Sequence, residues 1–105
     1  MKMYILVKRS LESHKVVGVA HGVLMAHLKF YSEQELVNND YLEWLKTSFK
    51  KVICEVSDEE FEMAKSFDNR VIVTESSLGG KEIAMVFCPR REWPEPFKKY
   101  PLMKI

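Results

Sequence analysis

The segment His14-Lys15-Val16-Val17-Gly18-Val19-Ala20-His21-Gly22, which continues through Ala26 to Tyr31, decides how this chain folds. It follows the apolar run Tyr4-Ile5-Leu6-Val7 after a short polar connection, an arrangement typical of a strand that leads into a helix. Gly18, Gly22 and Ala26 form a row of small residues spaced by four. Because a glycine inside a helix costs about 1 kcal/mol relative to alanine, this row indicates the close approach of another group. That group is either the face of a sheet or a ligand.

The start of this helix, predicted to run from about His14 to Tyr31 with Ser13 as its N-cap, carries cations. Helix starts favour anions, because unpaired amides and aligned peptide dipoles make them partly positive. His14, Lys15 and His21 share this end with the small residues, which marks a candidate site. His21 is equally consistent with a half-buried structural histidine, and Lys15 with an ordinary solvated lysine. No metal site is predicted, since His14 and His21 lie about 10 Å apart along the helix axis.

Composition sets the outer limits on fold and partners. The 105 residues, 47% of them hydrophobic, suit one domain with one core. Sixteen basic and fifteen acidic residues give a net charge of +1, so the overall basic field of a strong nucleic-acid binder is absent. Without a long apolar run or a signal-peptide pattern, we expect a soluble, cytoplasmic protein with no membrane partner. Cys54 and Cys88 lie in or beside predicted strands and are expected to be reduced and buried.

The remaining pattern predicts an α/β domain. Strands are predicted near residues 3–8, 52–56, 71–74 and 82–88. After the first helix, a further turn capped at residues 32–35 is expected, then a helix near 41–49, and Ser57 with Glu60 forms a capping box for another helix. Strands without polar alternation are typical of a sheet covered on both faces, so we expect three layers, with a four-stranded mixed sheet between helices. Residues 1–105 then form a single domain, on which the proline-rich tail 89–105 packs. The first helix is expected to contact the core through Val16, Val17, Val23, Leu24 and Leu28.

Several motifs resemble one known family. Lys15 to Gly22 is similar to the first-helix motif of the archaeal and eukaryotic (type II) peptidyl-tRNA hydrolases, with one residue missing. Tyr41 to Leu45 resembles that family's tryptophan-bearing second helix, and Val86 to Pro89 its last-strand ending. Thr74 to Ser77 falls where the family has an aspartate-containing loop. Two departures accompany this likeness, because the family's helix glutamine has no counterpart and Glu75 is the nearest carboxylate to the loop aspartate.

The resemblance implies a hydrolase that cleaves the ester bond of peptidyl-tRNA. Because the sequence shows no nucleophilic serine or cysteine motif, no metal-ligand spacing and no P-loop, no covalent intermediate, metal or cofactor is expected. Ligands of open α/β sheets bind beyond the carboxyl ends of the strands, where the helix start and the Glu75 loop can converge. Lys15, Glu75, Ser76 and His21 are then the catalytic candidates, with Lys15 expected within roughly 8 Å of the loop. Lys15→Ala is expected to lower activity without unfolding the protein, since an exposed lysine contributes little to stability. Weaker candidates for contacts with RNA phosphates are His14, Lys8, Arg9, Lys50 and Lys51.

The alternative is a non-catalytic binding or interaction module on the same fold. It would hold a partner or a small ligand with the glycine-lined face of the first helix. The other contributors to its surface would be exposed aromatic residues of the tail, which offer one route to a homodimer. These residues are Trp93, Phe97 and Tyr100.

Overall fold

The order of the strands follows from two helical crossovers and one hairpin. The computed structural model describes residues 1–32 and 40–104; residues 33–39, which include most of the turn expected after Ser32, and Ile105 lie outside that description. Strand β1 (Lys2–Lys8) leads through a 3-10 turn into helix α1 (Lys15–Ser32). Helix α2 (Asp40–Lys46) then precedes strand β2 (Lys50–Val56), which pairs in parallel with β1.

The second half of the chain completes the sheet on its other side. Helix α3 (Asp58–Ala64) crosses to strand β3 (Arg70–Glu75), which forms an antiparallel hairpin with β4 (Lys81–Phe87). Strand β4 also pairs antiparallel with β1, so the order is β2-β1-β4-β3. The short helix α4 (Glu95–Lys99) lies in the proline-rich tail. The predicted α/β class, with a four-stranded mixed sheet and helices, is confirmed.

Two apolar layers cover the two faces of the sheet. Alternate β1 residues Met3, Ile5 and Val7 face the layer that contains α1 and α2. Tyr4 and Leu6 face the opposite layer. There they contact α3, α4 and the tail, in a cluster of Phe61, Phe87, Trp93 and Phe97. The predicted exposure of the tail aromatics is wrong, since Trp93 and Phe97 are buried and Tyr100 is half-buried.

Helix α1 lies on the sheet through its small residues and not through its large ones. A Cβ added to Gly18 would stand 3.2 Å from the Cβ of Ala84, and one added to Gly22 only 2.6 Å from Cγ2 of Val86. The glycines therefore let the helix backbone approach β4 closely. The predicted packing through Val16, Leu24 and Leu28 is wrong, because these side chains are 77%, 60% and 66% exposed. Only Val17 and Val23 of that predicted set pack partly against the core.

The start of α3 follows the predicted capping box. The Ser57 hydroxyl accepts from the Glu60 amide at 3.1 Å, while the Ser57 amide donates to the Glu60 carboxylate at 2.8 Å. Three acidic residues in the first turn also suit the positive end of the helix dipole. The predicted start of this helix is confirmed.

Both cysteines, Cys54 and Cys88, are buried and no disulfide joins them, as predicted. They lie in opposite layers of the fold. Burial raises the pKa of the Cys54 thiol to about 11, and the nearby charge of Glu60 adds to that rise. A thiolate is the reactive species, so Cys54 is inert at neutral pH.

Thiol labelling checks this packing. At pH 8 we expect the native protein to react with a thiol reagent at least ~100-fold more slowly than the urea-unfolded chain, because labelling requires opening of the core. Two fast-reacting thiols in the native protein would contradict the burial of both cysteines.

Candidate functional site

The carboxyl ends of three strands meet at one edge of the sheet, beside the start of α1. Strands β1 and β2 run parallel, and β3 shares their direction because both β1 and β3 pair antiparallel with β4. Lys8, Val56 and Glu75, which end these strands, therefore lie along one edge. A 3-10 turn, Glu12–His14, joins that edge to α1. We call this region the carboxyl edge.

The 3-10 turn replaces the N-cap that the sequence predicted. Its own N-cap residue is Leu11, which makes no side-chain hydrogen bond. The Ser13 hydroxyl instead lies 3.1 Å from Nδ1 of His14. Ser13 therefore orients an imidazole and does not cap α1, and the predicted N-cap is wrong.

Lys15 is buried at this edge and held by two carboxylates. Its ammonium donates to Glu12 at 2.5 Å and to Glu55 at 2.9 Å, and the residue is only 6% exposed. These hydrogen bonds, the one to Glu12 first, raise the pKa of Lys15 above its ordinary value. Lys15 is thus a permanent cation that joins the start of α1 to β2. The premise that Lys15 is an exposed lysine is wrong, and because Lys15→Ala removes the partner of Glu55, we expect this substitution to lower stability.

Glu55 is the residue that the sequence reasoning missed. Its carboxylate accepts from Lys15 and from the Lys104 amide at 3.3 Å. Lys15 is the main cause of the lowered pKa of Glu55, with smaller contributions from that amide and from Arg9. The available signal was a lone carboxylate inside the apolar strand Val52–Val56, since a half-buried charge needs a partner.

The stability of the protein should depend on Glu55 with a defined sign in pH. A carboxyl whose pKa is lowered by folding stabilises the fold above its ordinary pKa of 4.5, and this contribution is lost as the pH falls through the folded value. The pKa of Lys15 is raised by folding, so the contribution of Lys15 to the stability of the fold stays intact until the pH rises above 10.5. Glu55→Gln should therefore melt clearly below wild type at pH 7, and the difference should shrink in acid.

Thermal melts of Glu55→Gln between pH 3 and pH 8 measure this dependence. The matched control is Glu95→Gln, because Glu95 is exposed and only loosely paired with Lys98 at 3.8 Å. A Tm difference between Glu55→Gln and wild type that stays constant across the pH range would contradict the ion pair's role.

Glu75 belongs to a different group of side chains at the same edge. Its carboxylate accepts from the amide and the hydroxyl of Ser77, both at 3.1 Å. The Ser77 amide, then its hydroxyl, hold the pKa of Glu75 below its ordinary value, and the charges of His14 and His21 lower it further. No ion pair joins Lys15 to Glu75, both of which lie in the described part of the chain. The structure thus groups Glu75 with two imidazoles and Lys15 with two other carboxylates.

The neighbouring side chains leave this second group open to water. Ser76, Ser77 and His21 are exposed, whereas Leu78 packs against the core beneath the loop. Gly79, at φ 69°, ends the 3-10 turn Ser76–Leu78 in the left-handed region that glycine adopts readily. The alternative of a half-buried His21 is wrong. Gly18 and Gly22 lie on the side of the helix that faces the sheet, where they open no cleft.

The five predicted RNA contacts do not form one surface. The Lys8 ammonium is nearly buried, 4.7 Å from the centre of the Phe61 ring. Arg9 is exposed and lines an open cleft of about 540 Å³ beside Asp58 and Glu59. Lys50 and Lys51 begin β2 and pair with the first residues of β1, so they lie ~20 Å from the carboxyl edge. Of these five residues, the exposed Arg9 and the half-buried His14 remain near the carboxyl edge.

The described residues contain no group of three or more His, Cys, Asp or Glu side chains placed to hold a metal ion. Within residues 1–32 and 40–104, no helix combines the length and the apolar character needed to cross a membrane. Comparison with known proteins adds nothing to this geometry, because no protein-family model and no curated protein matches the chain.

Proposed function

We propose that this protein hydrolyses the ester bond of peptidyl-tRNA at the carboxyl edge, on a fold of the type II peptidyl-tRNA hydrolase kind. The observation that carries the proposal is the Glu75 carboxylate, which accepts from the amide and the hydroxyl of Ser77 at 3.1 Å and lies close enough to His14 and His21 for their charges to lower its pKa. A carboxylate beside an imidazole is an arrangement that orients a general base. A cytoplasmic location, where tRNA is at hand, completes the proposal and suits two reduced thiols.

The chemistry requires a base and a positive region. Glu75, directly or through His21, takes a proton from water as the water oxygen bonds to the ester carbon. The bond from that carbon to the ribose oxygen then breaks, and the proton passes to the departing oxygen. The amino end of α1, an 18-residue helix with no acid in its first turn, favours the negative charge that develops on the carbonyl oxygen.

Lys15 acts in this proposal as a positioning residue. Its ion pairs with Glu12 and Glu55 fix the 3-10 turn that carries His14 against β2. Ser76 is exposed beside Glu75 and suits contact with the substrate's ribose or peptide. Arg9 and His14 are the side chains that supply positive charge for the terminal phosphates of the tRNA.

A cleavage assay tests the proposal. Purified protein is incubated with an N-acetylated aminoacyl-tRNA, and the release of the acylated amino acid is compared with a protein-free blank. We expect cleavage well above the blank, and slower cleavage of the same tRNA with a free amino group. A rate equal to the blank for both substrates would contradict the proposal.

The alternative proposal is a non-catalytic interaction module, including one that forms a homodimer. The module predicted from the sequence used the glycine row and the tail aromatics as its surface. The glycine row, Trp93 and Phe97 are buried, and Tyr100 is half-buried. One observation still favours it, because the outward face of α1 exposes Val16, Leu24 and Leu28. An inactive protein that nevertheless associates through this face would support the module.

A further inference from the structure

Helix α1 is apolar on both of its sides. Its inner side rests on the sheet through Gly18, Gly22, Ala26 and Phe30. Its outer side exposes Val16 by 77%, Leu24 by 60% and Leu28 by 66%. A helix that is apolar all round is normally covered all round, whereas a surface helix has a polar outer face.

Carboxylates are missing from the helix, and most of its outer side is uncharged. The helix contains no acidic residue and two lysines, Lys15 and Lys29. Lys15 is buried, and the Lys29 ammonium reaches the backbone carbonyl of Arg70 at 3.5 Å, towards the edge strand β3. The exposed imidazole of His21 and the Lys51 ammonium, 3.3 Å from the centre of the Phe49 ring, lie at the rim of this apolar surface, and no carboxylate of the helix faces a partner there.

The exposed apolar surface continues past the helix. A groove of about 310 Å³ runs between α1 and α2, and Leu24 and Phe49 both line it. Phe49 is 53% exposed. With Met25 and Tyr31, the exposed large apolar side chains of this region offer on the order of 600 Å², the upper end of what monomers expose. With a polar rim, this approaches the ~800 Å² that each partner contributes to a stable complex.

We propose that this surface is the interface of a homodimer in which α1 packs antiparallel against α1 of a second copy. Val16, Ala20, Leu24 and Leu28 are spaced by four and form one ridge, ~18 Å long. A two-fold axis near the middle of this ridge places Leu24 opposite the small Ala20 of the second copy, and Leu28 opposite its Val16. The ridge is thus complementary to itself, which a two-fold interface requires. This inference is independent of the catalytic proposal.

Sedimentation velocity at a series of protein concentrations tests the dimer. The wild type should sediment as a dimer at micromolar concentration. Leu24→Glu places two carboxylates near the axis and should raise the dimer dissociation constant at least ~100-fold. The control is Met63→Glu, because Met63 is 73% exposed on α3, in the other layer of the fold. It should leave the dissociation constant unchanged.

Disulfide trapping tests the register. The double variant Ala20→Cys/Leu24→Cys should form covalent dimers on mild oxidation, since each new thiol faces one of the second copy. The single variant Met63→Cys should not, and buried Cys54 and Cys88 should not interfere. A wild type that is monomeric at every concentration would overturn the proposal, as would a dimer that Leu24→Glu leaves intact while its circular dichroism spectrum stays native.

Discussion

Replacing Glu75 by glutamine is expected to lower kcat/KM for an N-acetylated aminoacyl-tRNA by about 100-fold to 10⁴-fold. The amide keeps the size of the side chain and can still accept from the Ser77 amide and hydroxyl. It removes the negative charge that faces His14 and His21. The main loss is therefore expected in the rate of the chemical step, with a smaller fall in Tm at neutral pH because the pKa of Glu75 is lowered by folding.

Glu92→Gln is the matched control for this substitution. Glu92 is exposed and lines a cavity of about 420 Å³ with Met1 and Lys2, at the opposite edge of the sheet from Glu75. Its replacement should leave kcat/KM unchanged within about twofold. Equal losses in the two variants would mean that Glu75 acts only through the net charge of the protein.

Replacing Gly22 by alanine is expected to destabilise the fold by roughly 2 kcal/mol, although alanine favours a helix by about 1 kcal/mol. The new Cβ would stand 2.6 Å from Cγ2 of Val86, a fully buried side chain that has no space to move away. Urea unfolding of Gly22→Ala against wild type measures the loss.

Two further variants separate the clash from helix propensity. Ala20→Gly, at an exposed position of the same helix and at a protein concentration where wild type is monomeric, measures the propensity effect without any contact with the sheet. Val86→Ala, combined with Gly22→Ala, removes the methyl groups that the new Cβ meets. The double variant should be more stable than the sum of the two single losses predicts. Simple additivity would contradict the close approach of α1 to β4.

Local sequence patterns were sufficient to predict the strands, most of the helices and the N-cap of α3. The apolar runs around Ile5, Val73 and Met85 predicted strands because a sheet covered on both faces needs no polar alternation. Ser57 and Glu60 predicted a helix start because the capping box involves only neighbouring residues. The spacing of Gly18 and Gly22 indicated the close approach of another group but did not identify β4 as that group.

The orientation of α1 and the contents of the site were not available from local patterns. A helix that is apolar all round gives no periodicity that selects an inner face, so Leu24 and Leu28 were assigned to the core in error. The partner of Lys15 is Glu55, forty positions further along the chain and brought close only by the pairing of β1 with β2. Trp93 and Phe97 were expected at the surface as part of an interaction module, yet they fill the second apolar layer.

Single-turnover cleavage of N-acetylated aminoacyl-tRNA, with the protein in excess, tests the central claim most directly because slow product release cannot hide the chemical step. Wild type and Glu75→Gln are compared at equal concentration, after circular dichroism has shown that both are folded. The account predicts that wild type cleaves the ester and that Glu75→Gln does so at least ~100-fold more slowly. Equal rates for the two proteins, whether fast or no faster than the protein-free blank, would contradict it.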